Sequence, residues 1–427
     1  MTMANSKWSA NKFDAVTHCC NIVFVIVATI LFNAFCYGQP NKDQPSKFDL
    51  NALTLSYSKN YFSSIFDKKI SDSVQIVGLG EVSHGGYEPL AFKVNMVKYL
   101  IENKGYRKIL FEFSDIGDIR AMRNYLTHKN GNDTSYINRW VINGAFMNAF
   151  AAVFPDLLKW IKLYNDKHPK DMVQIMGFDI RNEQLDINFV LNKYIIPYNS
   201  QRSQQYVYQL TSSTSDPDKI SLIGKWFKSN ETDLKTKLNK EDFYWLSFYV
   251  NNVTNGLNYV IKNSKTKTDK SDSTNLFRDS VMSENVKYLS GKEKSIIWAH
   301  NGHVVRFERR YMGNYLNQYF KNKYYVVATD FSKFAAVEVT NPDSVKDLVD
   351  KKHPSKIFKS APSTAAYNIL DKYGVSEGIY FRQDLIRMNI KEDINVIDVA
   401  GVPIYIPEFH NSADALVIFS TIYPNAK

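Results

Sequence analysis

The stretch Gln75-Ile-Val-Gly-Leu-Gly-Glu81-Val-Ser-His84-Gly-Gly joins an apolar run to glycines and two chemically active side chains. The β-branched residues predict a strand that breaks at the glycines, so that Glu81 and His84 leave the strand end together. In parallel α/β sheets, ligands and reactions gather at the carboxyl edge of the strands. The stretch therefore predicts an α/β fold and the edge of the sheet where its chemistry lies.

The residues that follow predict a helix and a second strand. Apolar positions recur at helical spacing over 89–103, and Gly105 is placed to end that helix as a C-cap. A β-like run at 108–113 comes next, and strand, helix, strand implies a parallel pair with a crossover helix. Further β-like runs lie at 172–178, 295–299, 324–329, 335–339 and 415–420. We expect a three-layer α/β sandwich with a mostly parallel central sheet.

Two segments stand apart from this alternation. Over 185–290 the pattern is helical and contains no convincing strand, which predicts an inserted helical subdomain. Over 1–39, Lys7 and Lys12 precede the apolar run 22–32, a layout typical of a secretory signal peptide. The residues Cys36-Tyr37-Gly38 that follow predict a cleavage site before Gln39. An uncleaved N-terminal anchor is the alternative. Residues 40–427 are then an exported domain, periplasmic or secreted, that meets the membrane only through the N-terminal segment.

Composition excludes several kinds of chemistry. All three cysteines lie within 1–39, so the remainder has no disulfide, thiolate nucleophile or cysteine-bound metal. The formal charge of +10 comes from lysines interspersed with acidic residues rather than from a dense basic block. Nucleic-acid binding would need clustered Arg and Lys, so we expect no nucleic-acid partner. Oligomeric state is left open by the sequence.

Polar side chains follow four of the predicted strands. Their residues are Glu81 and His84, Glu112, Asp179, and His300 with His303. No nucleophile elbow of the G-x-S-x-G type surrounds Ser83, which disfavours a covalent serine mechanism and leaves that serine as a turn residue. An imidazole beside a carboxylate is suited to activating water. Hydrolysis of an ester, lactone or amide by activated water fits this set.

Two alternatives use the same residues. Glu81, His84, Glu112, His300 and His303 are all competent ligands for Zn or Mn, so a metal-dependent hydrolase is one alternative. A non-catalytic binding protein on a hydrolase scaffold is the other. We expect no metal or other cofactor and a small-molecule ester or lactone as the partner. Lys93, on the helix after His84, either faces the site or occupies a solvated helix position.

The chain resembles the erythromycin esterase family. The motifs that carry the resemblance are Gly78-Leu-Gly-Glu81-Val-Ser-His84-Gly, Ile109-Leu-Phe-Glu112-Phe, Met176-Gly-Phe-Asp179, Arg278-Asp-Ser-Val-Met-Ser-Glu-Asn and Ile297-Trp-Ala-His300-Asn-Gly-His303. The resemblance implies an α/β sandwich with a helical insertion, a deep cleft and hydrolytic opening of macrolactones.

The resemblance also implies roles for individual residues. His84 matches the general base that activates water, and its matching cleft partners are Glu81, Glu112, His300 and His303. Glu88 falls where the family usually has a glutamate. Lys93 falls where antibiotic-inactivating members tend to carry Arg, and Lys offers a point charge in place of a planar fork. We therefore expect Glu88, Lys93 and Asp179 to contact the substrate.

Overall fold

The computed structural model describes residues 49–127, 148–181, 183–198, 208, 216–265, 272–306, 311–339, 355–398, 401–407 and 409–425. The predicted signal peptide or anchor at 1–39 lies outside these residues, as does its boundary with the folded part. Among the residues described, no helix has the length and apolar character needed to cross a membrane. The described residues belong to one compact unit.

The strands form one large sheet and a separate hairpin. In chain order they are β1 (Ile76–Glu81), β2 (Lys108–Ser114), β3 (Gln174–Asp179), β4 (Ser295–His300), β5 (Tyr324–Glu338), β6 (Ser355–Lys359), β7 (Gly378–Phe381), β8 (Ile394–Ile397), β9 (Pro403–Ile406) and β10 (Ala415–Ile422). The large sheet has the order β3-β2-β4-β1-β5-β10-β7, and β6 pairs with β5. All pairs from β3 to β10 along this order are parallel, while β6 and β7 run antiparallel. The prediction of a mostly parallel central sheet is confirmed.

Helices cover both faces of this sheet. In chain order they are α1 (Leu50–Thr54), α2 (Lys59–Phe66), α3 (Tyr87–Lys104), α4 (Gly117–Thr127), α5 (Asn148–Lys167), α6 (Glu183–Val190), α7 (Asp216–Lys237), α8 (Lys240–Lys265), α9 (Asp272–Ser290), α10 (Asn301–Val304), α11 (Met312–Phe320), α12 (Ala365–Tyr373), α13 (Arg382–Arg387) and α14 (Phe409–Ser412). A π-helix (Leu191–Ile195) follows α6, and a 3-10 turn (Lys321–Lys323) precedes β5. Most of the described residues between 183 and 290 are helical, as the sequence predicts, and none of them lies in a strand.

Alternation along the strands divides the core into two apolar layers. On one face, Val77 and Leu79 pack in the same cluster as Val97 of α3 and Leu158 of α5. On the other face, Ile76 belongs to a cluster that includes residues of the helical subdomain, such as Trp226 and Met282. Side chains two residues apart on a strand share a face, so β1 is apolar on both sides, as expected of a parallel strand covered by helices. The result is the predicted three-layer sandwich.

Several strands differ from the sequence-based prediction. The two runs predicted at 324–329 and 335–339 form the single strand β5, which continues through the buried residue Asp330. The polar residues between the two runs suggested a break, but β10 and β6 pair with this part of the strand and keep it extended. Strands β6 to β9 were not predicted, because each has only four or five residues. Short strands of this kind carry little periodicity of their own.

The turn between β1 and α3 fixes where the polar residues of the opening stretch lie. Ser83 Oγ accepts a hydrogen bond from the Gly85 backbone N–H at 3.2 Å, which is the turn role predicted for this serine. A side chain at Gly85 would come 2.2 Å from the Glu338 carbonyl oxygen of β5, so only glycine fits there. Gly105 ends α3 with a φ of 72°, the left-handed C-cap that the sequence predicts.

Candidate active site

Four neighbouring strands end in polar side chains at the carboxyl edge of the sheet. In sheet order these are Asp179 of β3, Glu112 of β2, His300 of β4 and Glu81 of β1. Glu81 is in register with His300 across the β1–β4 pair. The structure therefore brings together the strand ends that the sequence places far apart. We call this group, with His84 and His303, the edge cluster.

Glu81 and His84 form a hydrogen-bonded pair at the end of β1. His84 Nδ1 lies 2.8 Å from Glu81 Oε1, and 29% of the His84 side chain is exposed. The other oxygen of Glu81 accepts from the Lys93 ammonium of α3. Burial opposes charge on Glu81, but Lys93 and His84 outweigh it and lower the pKa of this carboxyl. Because the carboxylate is an acceptor, Nδ1 carries the hydrogen and Nε2 carries the lone pair of a neutral His84.

Lys93 lies inside the protein rather than on its surface. Its side chain has no exposed area, which excludes the solvated helix position. Besides Glu81, the ammonium contacts the Ala299 carbonyl oxygen at 3.2 Å and lies 4.5 Å from the centroid of the Trp298 ring. Burial lowers the pKa of Lys93 to about 8, although Glu81 and Glu112 oppose this effect. The ammonium of Lys93 thus holds Glu81 in place from within the core.

Arg278 of α9 connects the ends of β2 and β3. Its Nε and Nη2 atoms donate to the two oxygens of Asp179, each at 2.8 Å, and Nη2 also donates to Glu112 Oε1 at 2.8 Å. Arg181 Nε donates to Asp179 Oδ2 at 2.7 Å. Burial opposes ionisation of Asp179, but Arg278 and Arg181 outweigh it and lower the pKa of this carboxyl. Asp179, predicted to contact substrate, lies buried against two guanidinium groups.

His303, on α10 directly after β4, lies between two carboxylates. Its Nδ1 is 2.6 Å from Asp279 Oδ1, and its Nε2 is 3.2 Å from Glu112 Oε1. Burial alone would lower the pKa of His303, but Asp279 and Glu112 outweigh it and raise the pKa to about 10. The ring is therefore an imidazolium at neutral pH, with both N–H groups as donors. Arg278 Nη1 lies 3.2 Å from Nε2, and Glu112 between the two cations offsets their repulsion.

The ring of His300 is neutral, in contrast to the charged ring of His303. Its ring Nε2 lies 3.2 Å from the Val82 carbonyl oxygen and 3.0 Å from that of Ile397, so Nε2 carries the hydrogen. Its backbone N–H donates to Glu112 Oε2 at 2.9 Å. Burial, and then the neighbouring His84, lower the pKa of His300 to about 4, which keeps it neutral. Its ring centroid lies 5.0 Å from that of His84. The edge cluster thus holds one imidazolium, His303, and one neutral imidazole, His300.

The carboxylate of Glu112 connects these groups. Burial opposes its ionisation, but His303, Arg278 and His84 outweigh burial and hold the pKa of Glu112 well below its ordinary value. Its oxygens accept from Arg278, His303 and the His300 backbone. The buried Glu112 carboxylate therefore holds Arg278, His303 and the His300 backbone in place.

Two of the five residues named as alternative metal ligands, Glu112 and His303, are already engaged in this arrangement. A metal ligand needs a lone pair directed at the ion, and protonated or donating nitrogens cannot supply it. Both nitrogens of His303 face carboxylates as donors, and the Glu112 oxygens already accept from cationic and backbone donors. Over the described ranges, the structure contains no group of three or more His, Cys, Asp or Glu residues that could hold an ion.

Glu88, in the first turn of α3, makes a different contact from the other site residues. Its Oε2 accepts a hydrogen bond from the backbone N–H of Tyr423 at 2.8 Å, which joins the start of the helix to the end of β10. The substrate contact predicted for Glu88 stays a prediction.

Sequence reasoning did not assign Arg278, Asp279 or Arg181 to the site. Asp279 is completely buried and Arg278 is 5% exposed, while 45% of the Arg181 side chain is exposed. The signal for the first two was present, because an Arg-Asp pair opens one of the motifs that carry the family resemblance. Their helix lies in the predicted insertion, whose position over the sheet edge the pattern of residues does not specify.

The fold and the edge cluster define a three-layer α/β protein with paired imidazoles and carboxylates at the carboxyl edge of its sheet. The family model "Erythromycin esterase" matches residues 101–367. The chain belongs to the erythromycin esterase family and is a hydrolase of that family.

Three further proteins are similar to this chain in sequence or in fold. "Putative hydrolase YbfO" of Bacillus subtilis (strain 168) is 24% identical over 325 residues, which cover 66% of this chain and 70% of the relative. The solved structure of a mutant of the erythromycin esterase EreC, in its open conformation, has a TM-score of 0.64 at 18% identity, and the match covers 88% of this chain and 97% of that one. A succinoglycan biosynthesis protein has the same TM-score at 16% identity, covering 89% and 94%. At these identities the solved structures show the shared fold.

Proposed function

We propose that this hydrolase cleaves an ester or lactone by adding activated water to its carbonyl carbon, with His84 as the general base. The observation that carries the proposal is the Glu81–His84 pair, in which Nδ1 is bonded to a buried carboxylate and the ring is partly exposed. This pairing leaves the Nε2 lone pair to take a proton, and the carboxylate stabilises the imidazolium that forms.

The reaction divides into two steps. In the first, His84 Nε2 takes a proton from water as the water oxygen bonds to the carbonyl carbon, and the carbonyl oxygen gains the negative charge. In the second, the bond from carbon to the leaving oxygen breaks, and the proton held by His84 passes to that oxygen. The products are one carboxylic acid and one alcohol, which stay joined in a single molecule when the substrate is a lactone.

A cationic group nearby would offset the charge on the carbonyl oxygen. His303 suits this task, because it is an imidazolium at neutral pH and 15% of its side chain is exposed. A fixed positive charge beside the oxygen that gains negative charge is among the largest contributions to catalysis in acyl transfer.

The substrate class that we propose is a small-molecule ester or macrolactone. Its support is the family to which the chain belongs and the shared fold with an erythromycin esterase. We propose a metal-independent reaction, because the site residues are already engaged as donors and acceptors among themselves. Export is part of the proposal and rests on the N-terminal sequence alone. N-terminal sequencing of secreted or periplasmic material should begin at Gln39 if the predicted cleavage occurs.

The proposal is tested by incubating the purified chain with macrolactones, smaller lactones and simple esters in water labelled with oxygen-18. Mass spectrometry should detect addition of one labelled water to a lactone, with the label in the new carboxylic acid. His84→Ala should abolish this addition. His168→Ala is the matched control, since His168 is an exposed histidine stacked on Tyr164 of α5. Unlabelled product, or full activity in His84→Ala, would refute the proposed mechanism.

A further inference from the structure

Asp279 is a buried carboxylate to which the proposed mechanism has so far given no role. It lies on α9 of the helical subdomain and has no exposed area. Oδ1 contacts His303 Nδ1 at 2.6 Å and the Met312 backbone N–H at 3.3 Å. Oδ2 is buried without a hydrogen-bond partner in the part of the chain that the structure describes. Within the described residues, Asp279 Oδ1 therefore fixes the orientation of the His303 ring and the start of α11.

We propose that Asp279 is a positioning residue for the hydrolysis, holding His303 in one orientation as a cation beside the carbonyl oxygen that gains charge. This inference rests on the proposed function, because it assigns His303 the role of stabilising that oxygen. The bond from Asp279 to Nδ1 commits this nitrogen to donation. The opposite nitrogen, Nε2, is then left as the donor on the side of the ring that contacts Glu112.

The other charged groups around His303 cannot replace Asp279. Arg278, also on α9, is a cation 3.2 Å from Nε2 and disfavours a proton on the ring. His300 of β4, whose ring centroid is 6.5 Å away, is neutral. Glu112 of β2 is the second anion that contacts the ring, at 3.2 Å compared with 2.6 Å for Asp279, and it is shared with Arg278. Without Asp279, the ring would have one shared anion, an adjacent guanidinium and no fixed partner at Nδ1.

The arrangement also explains how the helical subdomain contributes to the site. Residues 272–290 form α9, which contacts β2 and β3 and carries Arg278 and Asp279 side by side. Arg278 orients the carboxylates at the strand ends, and Asp279 orients His303. Adjacent helical positions point in directions about 100° apart, so neighbouring side chains of one helix can contact both β3 and α10.

The experiment compares Asp279→Asn with Asp330→Asn in the full chain. Asp330 is also completely buried, but it contacts Asn395 and the Phe331 backbone, so it controls for replacing a buried carboxyl by an amide. Histidine resonances of each protein are followed by NMR across neutral to alkaline pH, with His303→Gln used to assign the His303 signal. In Asp279→Asn, His303 should lose its proton at least tenfold more readily than in wild type. In Asp330→Asn it should titrate as in wild type.

The same variants are then assayed on whichever ester or lactone the wild type opens. Asp279→Asn should lower kcat about 100-fold with little change in KM, and the alkaline limb of its pH profile should move to lower pH. An unchanged His303 titration, or an unchanged kcat and pH profile, would overturn the inference. The NMR result is independent of turnover. If no ester is cleaved but His303 shifts as expected, the proposed function fails while the positioning of His303 by Asp279 stands.

Discussion

Lys93 and Glu81 form a buried ion pair. The free-energy cost of burying its charges limits what the pair contributes to the stability of the fold. The pKa of Lys93 falls from 10.5 to about 8 mainly because the ammonium is buried. At about 1.4 kcal/mol for each pH unit, this corresponds to about 3 kcal/mol against the charged ammonium even with Glu81 beside it. The pair is therefore expected to add little net stability, although each partner depends strongly on the other.

A double-mutant cycle with Lys93→Met and Glu81→Gln tests this reasoning. Lys93→Met leaves a buried carboxylate without its cation and should cost about 3–5 kcal/mol of unfolding free energy. The double variant removes both charges and keeps similar volumes, so we expect it to cost about 1–2 kcal/mol, mainly from the lost contact with the Ala299 carbonyl. The double variant should thus be more stable than Lys93→Met alone, although it lacks the carboxylate that the proposed mechanism needs.

The measurement is urea unfolding followed by circular dichroism at neutral pH for the wild type and the three variants. The coupling free energy between the two positions should be at least about 2 kcal/mol. If the two single costs add to within about 0.5 kcal/mol of the double variant, the residues do not interact as the structure implies. A coupling free energy of at least about 2 kcal/mol together with a double variant that costs more than about 3 kcal/mol would show that the ion pair itself stabilises the fold.

Two further predictions concern His300 and Gly80. The pKa of His300 is lowered from 6.5 to about 4, so the unfolded chain takes up this proton first and stability is lost as pH falls across that interval. His300→Gln should remove about 2 kcal/mol of the loss between neutral pH and about pH 4.5, as measured by urea midpoints at both values; an unchanged acid loss would contradict a neutral buried ring. At Gly80, an added Cβ would lie 2.4 Å from Asn301 Oδ1 and 2.8 Å from Val304 Cγ2. Gly80→Ala should therefore cost about 3 kcal/mol through overpacking, whereas Gly117→Ala, which meets open space, should cost nothing measurable by the same assay.

The order of elements at the centre of the fold could be predicted from the sequence, because the signals there are local. The apolar run before Glu81 and the helical spacing after it predict β1 and α3, and Gly105 marks the end of that helix. The short strands β6 to β9 could not be predicted, since their pairing depends on β5, β10 and each other. Strand β5 was predicted as two runs for the same reason.

The residues of the candidate site were likewise only partly predictable from the sequence. The polar strand ends were visible because parallel strands place their carboxyl ends at one edge. Arg278 and Asp279 were not assigned to the site, because a charged pair within a helix gives no indication of which strand ends it will reach. Lys93 could be placed near the site, but its complete burial depends on packing against Trp298 and Glu81.

By itself, the sequence determined that this chain forms an α/β sheet and which acidic and imidazole groups meet at its edge. Both follow from local apolar patterns and from the geometry of parallel strands. Only the tertiary structure decided that the His303 ring is charged and that the His300 ring is neutral. The sequence gives the same side chain at His300 and His303, and the pKa of a histidine depends on its burial and on the charges beside it. Those neighbours, Asp279 and the Ile397 carbonyl among them, come from distant parts of the chain.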